Sequence, residues 1–562
     1  MPISEIAMTG DRVKTGKKAV IIRLSKYFFR YKLSVLAAFL LMLGSNLFAL
    51  LGPWLSGKAI DAIDLKTGVD FAAVGRFCLW MAVFYVVSSA LSYILSVLMI
   101  RLSQKIVRRM RQDAFEKILS LPVGALDRVQ AGDLINRISY DIDTVNASLS
   151  NDILQAATGI ITVAGALIGM ILTSPALLGV FVITLPISVL ITVKRSRTVR
   201  PLFRKRSAKL AELNGNTEAV DAYYAADYYG SLIGPSVNFV NNLGTVLIST
   251  AGSFFYLFNL ISIGDISAFL QYSRKFSGPV NEYANIMGEI QSALAAAERV
   301  FRLLDQPAEE ADAPNAVELT GAEGRVEFEH VRFGYAEGED IIEDLSFTAE
   351  PGQTVAVVGP TGAGKTTIVN LMMRFYEPRG GRILLDGQDI RSYTRKSLRA
   401  AFTMVLQDTW LFEGTIFENI AYGREGATLE DVRRAAEAAH IAEFIDNLPQ
   451  KYDTVLTDGG ALSKGQKQLM TIARAMLSPA KILILDEATS NVDTRTEIMI
   501  RDAMAKLMRG RTCFVIAHRL TTVRNADTIL VIKDGDVVER GRHEDLLSRR
   551  GFYAEIYAAQ FD

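Results

Sequence analysis

Charged residues are spread unevenly along this 562-residue chain, and the gaps between them outline its first half. Leu33 to Gly57 carries no charge, and neither does Phe77 to Ile100. Ile153 to Val193 is uncharged for 41 residues and is interrupted by Thr173-Ser174-Pro175, the pattern of two helices joined by a tight turn. Tyr228 to Gly264 is again uncharged. A helix needs roughly 20 apolar residues to cross a hydrocarbon layer, so these stretches predict five membrane spans. Basic residues precede the first span (Lys14, Lys17, Lys18, Arg23, Lys26, Arg30, Lys32) and follow the second (Arg101, Lys105, Arg108, Arg109, Arg111). Both flanks therefore face the cytoplasm.

A sixth span is argued from parity. Ile266 to Ala296 is apolar but carries Arg274, Lys275, Glu282 and Glu289, so hydropathy alone passes over it. The C-terminal half contains Gly359-Pro360-Thr361-Gly362-Ala363-Gly364-Lys365-Thr366, a phosphate-loop pattern that needs cytoplasmic ATP, which requires an even number of spans. The expected spans are 33–57, 74–100, 151–173, 176–196, 230–259 and 265–290, in a first domain of residues 1–307. Lys275, Glu282 and Glu289 are seven apart and share one helix face. Either they line a transport path, or Lys275 and Glu282 form a structural pair and Glu289 lies below the membrane. Residues 19–32 mix apolar and basic side chains, as an interfacial helix or a basic membrane flank does.

Composition narrows the classes. Half of the residues are hydrophobic, high for a soluble protein. Net charge is zero, which points to no nucleic-acid partner. The two cysteines, Cys78 and Cys513, allow no disulfide framework or zinc spacing. All four histidines (His330, His440, His518, His543) lie in the C-terminal part. The first 18 residues are polar and basic, without the apolar core of a signal peptide.

Beyond an acidic, Pro- and Gly-containing linker at 308–324, a strand-and-helix pattern occupies 325–562. Thr354 to Val358 is a β-branched run that leads into Gly359-Pro360-Thr361-Gly362-Ala363-Gly364-Lys365-Thr366-Thr367. This is the phosphate-loop pattern between a strand and a helix. Its glycines let backbone N–H groups close round phosphates. Lys365 supplies charge to the β- and γ-phosphates of ATP, and the Thr366 hydroxyl can ligate Mg²⁺. Lys481 to Glu487 reads as an apolar strand ending in two acids. Asp486 is placed to hold the Mg²⁺ shell, and Glu487 to activate the attacking water.

Leu462-Ser463-Lys464-Gly465-Gln466 lies between these motifs and resembles the L-S-G-G-Q signature of the ATP-binding cassette (ABC) family, departing from it at Lys464. Other elements fall in that family's order. Tyr335 resembles the aromatic that stacks on adenine, and Gln407 the Q-loop residue that links Mg²⁺ to the membrane domain. Ser490-Asn491-Val492-Asp493 resembles the D-loop, and His518 the switch histidine at the γ-phosphate. The whole chain resembles bacterial half-size ABC exporters of the multidrug and lipid type. The stretches 57–61, 272–282 and 292–305 share that likeness.

The resemblance implies a two-domain membrane protein: an all-α six-helix transmembrane domain and an α/β P-loop cassette in the cytoplasm. It would lie in the bacterial cytoplasmic membrane among lipid and export a hydrophobic or amphipathic substrate. It implies a dimer with a second half-transporter, with a heterodimer favoured and a homodimer open. Ser463, Gly465 and Gln466 would then touch ATP held by the partner.

The two cytoplasmic loops depart from that pattern. The first, 101–152, has 52 residues, whereas the second, 194–227, has 34. As helical hairpins their legs would reach ~39 Å and ~25 Å. Gly132 to Arg137 in the first loop matches the family's stretch leading to the tip that docks on a cassette. In the second, Asn214-Gly215 is a strong turn former. The second docking tip is expected to be missing, which gives the alternative of a coupling-impaired or regulatory subunit.

Overall fold

The computed structural model describes residues 17–64, 68–127, 129–183, 186, 227–228, 231, 233–335, 338–407, 409–457, 462–486, 493–516 and 523–559. Two compact units emerge: Met1–Leu121 with Ala125–Ala308, and Pro122–Gly124 with Glu309–Asp562.

The first unit is helical. Helix α1 (Lys17–Phe29) is followed by α2 (Lys32–Asp61) and α3 (Phe71–Leu119). The apolar start of α3 continues without a break into its basic half, so the second expected span and its cytoplasmic extension are one rod of 49 residues. At 1.5 Å per residue it is ~73 Å long. A one-turn helix, α4 (Val123–Leu126), turns the chain. The return leg runs through α5 (Ala131–Asn136), a π-turn (Arg137–Asp141), α6 (Ile142–Ala147), a second π-turn (Ser148–Asp152) and α7 (Ile153–Thr173). The hairpin therefore turns before Gly132, and Gly132–Arg137 begins the return. Among the described residues a helical stretch at 175–183 follows, and then α8 (Ile233–Leu257) and α9 (Ile263–Leu304).

Among the described residues, three helical stretches are long and apolar enough to cross a membrane: Lys32–Asp61, Phe71–Leu119 and Ala131–Thr173. Helices α8 and α9 occupy the places expected for spans five and six; α8 carries no charged residue, whereas α9 carries Arg274, Lys275, Glu282 and Glu289. Most of 176–196 and nearly all of the second cytoplasmic loop, 194–227, lie outside the described residues.

Glycine and a carboxylate fix the crossing of α2 and α9. A Cβ on Gly264 would stand 2.1 Å from the Gly57 carbonyl oxygen, so neither helix tolerates a side chain there. Asp61 accepts hydrogen bonds from the Ser262 hydroxyl and the Gly264 N–H, each 2.9 Å, and so caps the start of α9. Lower down, Arg299 of α9 donates two bonds to Asp141 in the first π-turn, 2.5 and 2.9 Å long. On α9, Lys275 is half-buried with no partner among the described residues, while Glu282 accepts from Gln155 of α7 at 2.8 Å. A Lys275–Glu282 pair, one of the two alternatives for this face, is therefore not formed. Helix α1 is held by Arg23 on Asp305 (2.6 Å) and by the Tyr27 hydroxyl on Asp113 (2.8 Å).

The second unit is α/β. Antiparallel strands β1 (Val326–Phe333), β2 (Ile342–Ala349) and β4 (Gly380–Leu385) form a small sheet in the order β2-β1-β4, extended by 388–389. The larger sheet contains β3 (Thr354–Val358), β5 (Phe402–Val405), β6 (Ile482–Asp486), β7 (Thr512–Ile516), β8 (Thr528–Lys533) and β9 (Asp536–Gly541). Its order is β9-β8-β3-β7-β6-β5, parallel except for β9. Strands β3, β6 and β7 read as almost unbroken apolar runs because both faces of a parallel sheet are covered.

The segment 309–319 does not hang free. Arg399 binds Glu309 at 2.5 Å, Arg395 binds Asp312 at 3.2 Å and the Glu310 carbonyl at 2.7 Å, and Val317 bridges to Tyr393.

Placing a branched side chain at the helix crossing tests this packing. Gly264→Val is expected to destabilise the protein by about 1–3 kcal/mol through overpacking, read as a lower melting temperature in detergent. An unchanged melting temperature would show that α2 and α9 do not cross there.

Candidate nucleotide site

Register places the candidate groups on one edge of the large sheet. Val357 of β3 pairs with Ile516 of β7, and Ile516 pairs with Asp486 of β6. Leu485 pairs with Val405 of β5. The C-terminal ends of β3, β7, β6 and β5 therefore lie side by side, where open α/β sheets bind ligands. The loop 359–364 follows β3, Asp486 closes β6 and Gln407 lies two residues beyond β5. Glu487 and His518, like Ser490, Asn491 and Val492, lie outside the described residues. In the sequence Glu487 follows Asp486 and His518 lies two residues beyond Ile516.

Helix α10 (Lys365–Met372) starts immediately after the loop. Gly364 at its N-cap has φ +100°, a left-handed conformation that a side chain would strain. With Pro360, Thr361, Gly362 and Ala363, it aims the helix's free N–H groups at the space above the sheet, a ready anion site. Lys365 is buried, and its ammonium donates to the carbonyls of Gly359 and Pro360, both at 2.8 Å. Burial pushes its pKa below the usual lysine range, and the nearby Asp486 carboxylate partly restores it. An arriving phosphate would replace neutral carbonyls with a full charge.

Thr366 is exposed, and its hydroxyl has no partner among the described residues. The same holds for the Asp486 carboxylate and the Gln407 amide. Three unclaimed oxygen donors at one sheet edge fit Mg²⁺, which takes hard oxygen ligands. Thr367 points the other way: it is buried and meets the Tyr335 hydroxyl at 3.2 Å. The Tyr335 ring stands edge-on to Phe333 and Tyr376, each with centroids 5.0 Å away. This aromatic wall stands beside the phosphate helix.

The signature segment lies in a different core. Ser463 caps helix α11 (Lys464–Leu477): its hydroxyl accepts from the Gln466 N–H at 3.2 Å, and its own N–H donates to the Gln466 side chain at 2.9 Å. Gly465 is buried and Lys464 exposed. A lysine in the first turn opposes the helix dipole, a conflict that a bound anion would relieve. Helix α11 packs with the helices at 416–421 and 429–438 and with α12 (Thr494–Met508), whereas α10 packs with β1–β4. Asp493 caps α12 by accepting from the Thr496 N–H at 3.0 Å, and this holds its carboxyl below the usual range.

Two residues at the site carry no motif. Arg474 of α11 donates to the Asn419 carbonyl (2.8 Å) and the Trp410 carbonyl (3.2 Å), and lies over the rings of Phe412 and Tyr422. Asn419, fully buried, binds both backbone groups of Phe412. Together they brace the segment that follows Gln407 from the signature helix. In the sequence they are an ordinary arginine and asparagine.

Comparisons with known proteins agree with this layout. The model described as "ABC transporter" matches residues 342–490, and that described as "ABC transporter transmembrane region" matches 35–220. A "Fatty acid ABC transporter ATP-binding/permease protein" of Mycobacterium bovis is 45% identical, over 88% of this chain and 82% of its own. An "ATP-dependent lipid A-core flippase" of Idiomarina loihiensis is 34% identical, over 97% and 98%. Among solved structures, one described as a bacterial Atm1-family ABC exporter with ATP bound aligns with a TM-score of 0.72. It shares 32% identity and covers 94% of this chain and 98% of that one.

Lys365→Met is expected to abolish binding of a fluorescent ATP analogue by the full-length protein while its melting temperature in detergent is kept. Retained nucleotide affinity would remove Lys365 from the phosphate site.

Proposed function

The chain belongs to the ABC transporter family, as a half-transporter that couples ATP hydrolysis to transport, and from this premise we propose that it exports or flips a lipid-like amphiphile across the bacterial cytoplasmic membrane as one half of a dimer. The observation that carries this reading is the meeting of phosphate loop, Asp486 and Gln407 at one sheet edge in a chain that also carries membrane helices. The substrate class follows the relatives named for fatty acid and for lipid A-core.

In this reading the loop 359–367 binds the phosphates of ATP, and Tyr335 stacks on the base. Thr366, Asp486 and Gln407 would hold Mg²⁺, which offsets negative charge on the phosphates when bound. Glu487 takes the proton of the attacking water, and His518 holds the γ-phosphate. Ser463, Gly465 and Gln466, at the start of a helix that packs apart from the phosphate helix, would touch the ATP of the other half, as the resemblance to the family implies. Closure then depends on a γ-phosphate that exists only before hydrolysis. Six spans and a heterodimeric partner complete the proposal.

A second reading, a half whose ATP cycle is weakly coupled to transport, draws on chain length. The alignment with the lipid A-core flippase spans 580 positions, more than this chain's 562 residues. The transmembrane family match ends at residue 220, beside the early turn read at Asn214-Gly215.

Reconstitution into vesicles with the cassette outward separates the readings. ATP is expected to drive uptake of a fluorescent lipid, and Glu487→Gln to abolish both uptake and hydrolysis. Hydrolysis without lipid uptake would favour the weakly coupled half. Hydrolysis by Glu487→Gln at the parent rate would contradict the base assignment.

A further inference from the structure

The first unit holds a pocket of about 500 Å³ between α2, α3 and α7. That size lies within the ~300–1,000 Å³ of small-molecule sites. Its wall mixes apolar side chains with Ser, Thr, Asn and Gln and carries no Lys, Arg, His, Asp or Glu. We propose that this pocket binds the uncharged, hydroxyl-bearing headgroup of an acylglycerol-type lipid. The inference rests on the lipid-transport reading and deepens it.

The polar wall is built, not incidental. Helix α3 presents Ser88, Ser92 and Ser96 at intervals of four, on one face. Facing them, α2 contributes the buried Ser45 and Asn46. The Ser88 hydroxyl donates to the Ser45 carbonyl at 2.8 Å, and Asn46 accepts from Thr162 of α7 at 2.7 Å. These bonds hold the three helices in register.

The third wall depends on the second π-turn, Ser148–Asp152, of a kind that often marks functional sites. It brings Ser150 and Asn151 to the pocket, and the Ser150 hydroxyl meets Ser103 of α3 at 2.7 Å. Ser92, Asn151 and Thr158 also line the pocket, but their side chains have no hydrogen-bond partner among the described residues. Ser92 and Asn151 are exposed and Thr158 is half-buried, so their hydroxyl and amide groups stand free for a ligand at the open side of the pocket.

Charge selects the headgroup. A carboxylate or phosphate would find no cation among the lining residues to offset its charge. The wall's link to a charged side chain runs from Gln155 to Glu282, which repels anions. Hydroxyls of a glycerol headgroup can instead donate to and accept from Ser92, Asn151 and Thr158. Leu95, Ile100 and Leu154 supply an apolar side for the start of an acyl chain.

Photolabelling tests this without relying on transport. The full-length protein in nanodiscs is exposed to a monoacylglycerol carrying a diazirine beside its glycerol, and labelled peptides are mapped. Labelling is expected within 88–100 and 150–158, displaced by unlabelled monoolein and not by oleate at pH 8. Ser92→Ala with Thr158→Val removes two hydroxyls at nearly constant volume and should weaken displacement on the order of tenfold. Ser92→Leu with Thr158→Leu fills the space and should abolish labelling, with binding of the ATP analogue retained as the check on folding. Labelling elsewhere only, displacement by oleate as strong as by monoolein, or an unchanged Ser92→Ala/Thr158→Val protein would each overturn the proposal. Loss of pocket labelling with lipid uptake intact would sink the pocket alone. Pocket labelling without uptake would count against the transport reading and leave the pocket standing.

Discussion

Strand β3 lies buried between β7 and β8, with its residues all but inaccessible from Val355 to Val358. Because the sheet is parallel there, the loops that leave β3, β7, β6 and β5 must emerge at the same edge. A one-residue slip would turn every side chain of a strand to the opposite face. Since both faces are packed, the apolar filling of the sheet fixes where the phosphate loop, Asp486 and Gln407 meet. The chemistry is borne by loops, and its position is set by strands that touch no ligand.

The helical unit obeys a different constraint. Among lipid tails there is little hydrophobic drive between helices, so close backbone approach and hydrogen bonds do more of the work. Gly57 and Gly264 allow the first, and Asp61, Asn46, Ser88 and Ser45 supply the second. Beside those bonds lies a pocket where the Ser92, Asn151 and Thr158 side chains have no hydrogen-bond partner among the described residues. Arg299 on Asp141 and Arg23 on Asp305 tie further parts of the helices together.

The phosphate loop is legible because glycine, lysine and threonine at that fixed spacing suit little besides cradling a phosphate, and the register then accounts for Asp486 and Gln407. The first two helices are legible from the absence of charge. The unbroken length of α3 is not, because its apolar and basic halves share one helical path while hydropathy changes midway. The two π-turns leave no mark on composition. Arg474 and Asn419 stay hidden because they act through backbone carbonyls, which any sequence supplies. The linker read at 308–324 is pinned by arginines some 85 residues away, a pairing that only the fold creates. Lys275 and Glu282 share a helix face as the spacing says, yet Gln155 on another helix takes the carboxylate.

In the proposed dimer, a site opened by one chain's phosphate loop is closed by the signature of another. Cryo-electron microscopy of the Glu487→Gln protein with Mg²⁺ and ATP tests it most directly. Two closed cassettes are expected, with ATP phosphates in the 359–367 loop and Ser463 and Gly465 of one half at the γ-phosphate held by the other. ATP bound to a lone cassette, with α11 starting in open solvent, would contradict it.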